Sequence, residues 1–120
     1  MTPTAAALAR KGTRGWLAAW GWGGDVDDAV LVVSELVANA ARHGHVTGHH
    51  LWLRLAVTAN GGLVVDVSDP VGEFPGFESA APQGEGGRGL LVVRQLAEEL
   101  GWFPRQNHGK TVRALLLRRG

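Results

Sequence analysis

The sequence predicts an α+β protein, a two-layer sandwich of a mixed, mostly antiparallel sheet against helices. Three observations predict it. Residues from Asp27 to His43 repeat their apolar positions at helical spacing, and Leu51 to Ser68 alternates them about an Asn-Gly turn. The order of elements (helix, helix, hairpin, long loop, helix, strand, strand) then pairs strands at hairpins, which favours antiparallel ladders over a doubly wound sheet. With 120 residues a single domain over 1–120 is expected, able to bury roughly two-thirds of the surface its unfolded chain would expose.

Each element has its own signal. AAALARKGTRGWLAAW, from Ala5 to Trp20, sets Leu8, Trp16, Leu17 and Trp20 roughly on one helical stripe, interrupted by Gly12 and Gly15. GWGGD breaks that helix, and Asp25 or Asp27 can cap the next. From Asp27 to His43 the apolar residues Val30, Val33, Leu36, Val37, Ala40 and Ala41 make the face of a helix packed on a core, which Gly44 ends. Leu51, Leu53, Leu55 and Val57 alternate with Trp52, Arg54, Ala56 and Thr58, the period of a strand with one buried face. Asn60-Gly61 follows, and Leu63 to Ser68 is the returning strand.

Between Asp69 and Arg88 no period holds, and a loop of about 20 residues inside a compact domain is functional or disordered. Helical spacing resumes from Gly89 to Leu100 and stops at Gly101. A short strand begins at Trp102-Phe103, Asn107 to Gly109 turn the chain, and Thr111 to Leu117 form a final, mostly buried strand.

Composition narrows the function. The 18 glycines are about 15% of the chain against about 7% on average, yet no collagen-like register exists and 45% of the residues are apolar. Six of the glycines fall between Gly72 and Gly89. A formal charge of +1 gives no global field for nucleic acid or an anionic membrane. The lack of cysteine removes thiolate chemistry and Cys-ligated metal, and suits a reducing compartment. No run approaches the roughly 20 apolar residues of a membrane span, and no signal-peptide pattern opens the chain. A cytoplasmic protein is expected.

Three segments carry chemistry. Glu35, Asn39 and His43 are four apart and so stack along one line of their helix. A carboxylate and an amide oxygen one turn apart are hard ligands that suit Mg²⁺, and the carboxylate can instead deprotonate or orient a nucleophile. The same spacing also describes a solvated helix face. Asp69, at the lip of VDVSD, can accept a hydrogen bond from an exocyclic amine such as adenine's; an Asp before Pro is equally an ordinary turn former. Gly84 to Gly89 (GEGGRG) directly precede a helix, where backbone N–H groups can meet a phosphate, although such a cluster is also a common loop. His43, His45, His49 and His50 crowd eight positions, but His43 lies at the helix end, the others fall in a loop that no regular element fixes, and acidic or Cys partners are lacking, so a helix-line histidine and a solvated loop account for them better than zinc.

In this order and spacing the segments resemble the GHKL superfamily of ATP-binding domains, which includes gyrase B, MutL and histidine kinases. Glu35, Asn39 and His43 match its N box, and Asp69 with Gly72 falls at the first glycine box. Gly87-Arg88-Gly89-Leu90 is similar to the second box, and Gly109-Lys110-Thr111-Val112 to the last motif. The likeness is to small stand-alone members, the anti-sigma-factor serine kinases of the SpoIIAB and RsbW type.

It implies a Bergerat ATP-binding fold with an ATP lid at 70–88, and ATP with Mg²⁺ as cofactors. Asn39 would ligate the metal, Glu35 would be the base or water-orienting group, and Asp69 would read the adenine amine. Gly87 and Gly89 would let the lid meet the phosphates, with Arg88 reaching toward them, and Thr111 would support the adenine side. His43, Gly72 and Leu90 complete the nucleotide-binding set. The implied partners are a sigma factor and an anti-anti-sigma (STAS-type) protein, with no direct nucleic acid, no membrane and a homodimer left open. The implied activity is that of a serine/threonine protein kinase; the rival is a non-catalytic, nucleotide-dependent interaction module. Three residues depart from the pattern: Val71 and Leu91 stand where the boxes carry glycine, and Glu85 where these kinases carry an arginine.

Overall fold

A computed structural model of the chain describes residues 4–43, 50–72, 85–106 and 108–117, with backbone alone at 43 and 85–88. Its elements run α1 (Ala5–Trp20), α2 (Val26–His43), β1 (Trp52–Val57), β2 (Leu63–Asp69), α3 (Glu85–Leu96), β3 (Glu99–Pro104) and β4 (Lys110–Leu116).

Local chemistry explains the first two helices. Thr4 caps α1 by accepting from the Ala7 N–H at 3.0 Å, and α1 ends at Gly21 in the left-handed conformation. Asp25 caps α2 in the same way, accepting from Asp28 N at 3.0 Å, while Asp27 and Asp28 place negative charge in the first turn. Arg14 on α1 pairs with Asp27 at 2.9 Å and Arg10 donates to Ser34 at 2.8 Å, which sets the two helices side by side.

The strands form one sheet in the order β1-β2-β4-β3, and every pairing is antiparallel. Three helices against an antiparallel four-stranded sheet make the α+β sandwich expected from sequence. Alternation puts Leu63, Val65 and Val67 of β2 and Val112, Ala114 and Leu116 of β4 on one face, all buried. They meet Val32, Val33, Leu36, Val37 and Ala40 of α2, with Leu90 and Val93 of α3 and Leu17 of α1 completing the core. The link between α1 and α2 is tied to the hairpin, since buried Trp22 donates its indole N–H to the Gly61 carbonyl at 2.9 Å.

Two boundaries differ from expectation. α3 begins at Glu85 and not Gly89, so Gly86, Gly87 and Gly89 lie in its first turns and 85–88 are helix rather than the end of a loop. It also stops at Leu96. Glu98 N donates to Leu115 O at 2.7 Å, and Glu99 and Leu100 pair with Leu115 and Ala114, so the sheet edge captures residues whose spacing alone would continue the helix. Gly101 consequently sits inside β3 and is not a helix stop. The middle of the expected lid, the Gly44 stop, the turn residue Asn107, and His45 and His49 lie outside the described residues. No helix among the described residues is long and apolar enough to cross a membrane.

Candidate functional site

The first cluster sits where β2 and β4 end together. Asp69 follows Leu63, Val65 and Val67 at the period of two, so its side chain faces the helix layer, and the register sets Lys110 directly opposite. Both are buried: the Asp69 side chain is 1% exposed and that of Lys110 is 5%. The Lys110 ammonium donates to Asp69 Oδ1 and to the Val71 carbonyl, each at 3.0 Å. Oδ1 also accepts from the Val71 N–H at 2.8 Å, closing a turn over Pro70. Oδ2 lies 3.0 Å from the same ammonium, close enough for the charges to attract. It nevertheless accepts no hydrogen bond among the described residues, so a buried carboxylate oxygen is left with acceptor capacity.

Gly109 makes the close approach of the strands feasible. Its φ is +83°, and a Cβ there would stand 2.2 Å from the Asp69 carbonyl oxygen, a position no side chain can occupy. Gly72 is exposed and meets Gly109 only at ordinary contact distance.

Thr111 corrects the expectation placed on it. Alternation turns its side chain to the face away from the helices, where its hydroxyl bonds that of Ser68 at 2.8 Å. The residue of the last motif that stands beside Asp69 is Lys110, which sequence reasoning missed. A signal for it exists in the sequence: Lys110 shares the parity of Val112, Ala114 and Leu116, so a buried face predicts a buried ammonium in need of a carboxylate.

The second cluster lies on the seam between α2 and α3. Glu35 is half-buried and Asn39, one turn further along α2, is buried. Gly89 of α3 lies against the Glu35 side chain. Leu90 is 4% exposed and belongs to the hydrophobic core, so its side chain packs and is not presented to a ligand. Gly87 and Arg88 occupy the first turn of α3, and His43 ends α2; their side chains lie outside the described set. No group of three or more metal-ligating side chains occurs among the described residues.

On the opposite face of the sheet a polar row runs across the strands. Arg113 donates from both ends of its guanidinium to the two carboxylate oxygens of Asp66, at 2.7 and 2.9 Å. Arg54 reaches Asp66 at 3.5 Å, and the Arg113 guanidinium lies 5.1 Å from the centre of the Phe103 ring. The hydrogen bond to Asp66, more than its charge at a distance, raises the Arg113 pKa further above its already high value.

A buried carboxylate at the lip of a strand, with a carboxylate and an amide on the helix packed over the same sheet, defines a class: α+β domains of the ATPase type. The chain matches the model of the histidine kinase-like ATPase domain over residues 1–116 and belongs to that family.

Solved structures agree on the fold. The histidine kinase domain from the Erythrobacter litoralis EL346 blue-light activated histidine kinase is 25% identical, with a TM-score of 0.57 over 76% of this chain and 43% of that one. The chain thus spans less than half of that kinase. A chain of the SiaB-SiaC complex from Pseudomonas aeruginosa is 16% identical, with a TM-score of 0.70 over 97% of this chain and 84% of that one. Among curated proteins none matches at a significant level.

Membership implies ATP binding, and the donor set fits it. An exocyclic amine is the kind of donor that the Asp69 carboxylate, with one oxygen unsatisfied, can accept from. The Asn39 amide oxygen is a hard ligand of the type that Mg²⁺ takes beside phosphate oxygens.

Proposed function

We propose that this domain binds ATP with Mg²⁺ and serves as a serine/threonine protein kinase of the anti-sigma type. In this reading it phosphorylates a serine of a STAS-type anti-anti-sigma partner and sequesters a sigma factor in the cytoplasm, alone or as a homodimer. The observation that carries the nucleotide half is the buried Asp69 carboxylate, whose Oδ2 is ion-paired with Lys110 yet accepts no hydrogen bond among the described residues. The regulatory half rests on the small size of the domain and on its resemblance to stand-alone kinases of this type.

The residues divide the work. Asp69 accepts from the base, held in one orientation by Lys110 and by the Val71 N–H. Asn39 offers its amide oxygen to the metal, which supplies charge neutralisation at the phosphates when bound. Glu35 takes the proton of the attacking hydroxyl, and positioning does most of what remains. Gly87 and Arg88 belong to the first turn of α3, which would meet the phosphates, and Gly89 follows them against Glu35. Gly72 lines the base end beside Gly109, His43 extends the α2 line, and the places first given to Thr111 and Leu90 pass to Lys110 and to the core.

Melting with Mg-ADP or Mg-ATP tests the nucleotide half. At a hundred times the dissociation constant, ligand stabilises the fold by about 2.7 kcal/mol, several degrees for a domain of this size. An unmoved melting curve rejects it. γ-Labelled ATP with candidate partner domains tests transfer. The second reading, a module that binds nucleotide and transfers nothing, is favoured by Glu85 in place of an arginine, and it predicts the melting shift without a labelled product.

A further inference from the structure

Gly89 is the fifth residue of the twelve-residue helix α3, and α3 carries three glycines in its first five positions. A glycine inside a helix is unfavourable by about 1 kcal/mol relative to alanine, so propensity alone favours a side chain here. Space does not. A Cβ on Gly89 would stand 2.6 Å from Glu35 Oε2, 3.6 Å from Glu35 Cδ and 3.9 Å from Glu35 Cβ. The first distance is far inside contact. α3 cannot back away to relieve it, since Leu90 next to Gly89 and Val93 one turn on are both buried in the core beneath α2. The group that must move is the Glu35 carboxylate.

We propose that Gly89 is a positioning residue: the missing side chain forms the seat in which the Glu35 carboxylate rests, so that α3 sets where that carboxylate points. The catalytic meaning of the seat rests on the kinase reading above; its geometry does not. Glu35 touches the reacting hydroxyl in that reading, and Gly89 acts through Glu35. This differs from a role in contacting phosphate, because it places the consequence of a substitution in turnover and not in nucleotide affinity.

Melting temperatures of the wild type, Gly89→Ala, Glu35→Ala and the double variant test the seat without any nucleotide. In the Glu35→Ala background, Gly89→Ala raises the melting temperature by several degrees, the ordinary gain of alanine in a helix. In the wild-type background the gain is smaller, because the flexible end of Glu35 must shift to admit the methyl group. An equal rise in both backgrounds overturns the seat. Mg-ATP titration and phosphate release from γ-labelled ATP test the consequence. Gly89→Ala binds Mg-ATP within about threefold of wild type and turns it over about 100-fold more slowly, the scale of a misplaced catalytic group. In the Glu35→Asp background, whose carboxylate is one methylene shorter, Gly89→Ala slows turnover by a smaller factor than it does in the wild-type background. A fall in affinity as large as the fall in turnover overturns the positioning role in favour of a phosphate contact. If the wild type neither binds nor hydrolyses Mg-ATP, the kinase reading and the catalytic half of the proposal fail together, and the melting cycle still decides the seat.

Discussion

Asp69 and Lys110 show how one buried pair can serve stability and recognition at once. Removing one partner of a buried ion pair leaves a charge without a counter-ion, and typically costs 3–5 kcal/mol. Asp69→Asn and Lys110→Met are each expected to lose about that much in urea denaturation, whereas replacing both with apolar residues of similar volume is expected to be close to neutral. This changes how Asp69→Asn is to be interpreted. If Asp69 were only a turn former, asparagine would keep the turn and most of the stability; with Lys110 beneath it, the variant is destabilised whether or not a base is read there. A loss of nucleotide-induced stabilisation in that variant is therefore informative only at temperatures where it remains folded. At Gly109, alanine must adopt φ near +83° and displace the Asp69 carbonyl from a 2.2 Å contact. Gly109→Ala is expected to cost at least the 1–3 kcal/mol of a strained backbone, read as a lower urea midpoint with an unchanged slope. Asp69 was legible from its place at the end of an alternating strand. Lys110 was equally marked by strand parity but was passed over, because its neighbour Thr111 matched the motif, and a motif read as a string carries no information about which face a side chain takes.

The helices and strands differ in how well the sequence foretold them, and the reason is local. α1 and α2 begin at side chains that satisfy their own first N–H groups, Thr4 and Asp25, so their limits follow from nearby residues. Thr4→Ala is expected to lower stability by about 1 kcal/mol, measurable as a downward shift in the urea midpoint. α3 has neither advantage. Its start runs through three glycines, and its end is decided by Leu115 and Ala114 on a strand about fifteen residues away in sequence. The apolar spacing that reads as helix to Leu100 is real, yet Leu100 packs against the core as part of β3. The candidate site follows the same division. Glu35 and Asn39 share a secure helix and were legible as a pair, while the contact of Glu35 with Gly89 joins α2 to α3 across β1 and β2, which no local pattern records.

At the scale of the whole molecule, the sheet order β1-β2-β4-β3 places the two central strands, β2 and β4, under the helices, with a polar row on the other face. The sequence supported the layers and the hairpins. The union of β2 with β4 joins strands that α3 and β3 separate in sequence, and so depended on tertiary packing. On that face, Arg54, Asp66, Arg113 and Phe103 belong to β1, β2, β4 and β3, the same order as the strands themselves. Asp66→Ala removes both hydrogen bonds of Arg113, and is expected to cost about 1.5–3 kcal/mol. Because strands alternate with a period of two, a slip of one residue between β2 and either neighbour would turn Asp66 toward the helices, turn Val65 and Val67 to the other face, and strand two guanidinium groups opposite those valines. The row across that face is thus a proofreader of strand alignment: mispaired sheets are penalised by a charge forced into the core, and the Asp66→Ala protein is expected to show a broadened denaturation transition, with a smaller slope, as misaligned sheets become tolerable.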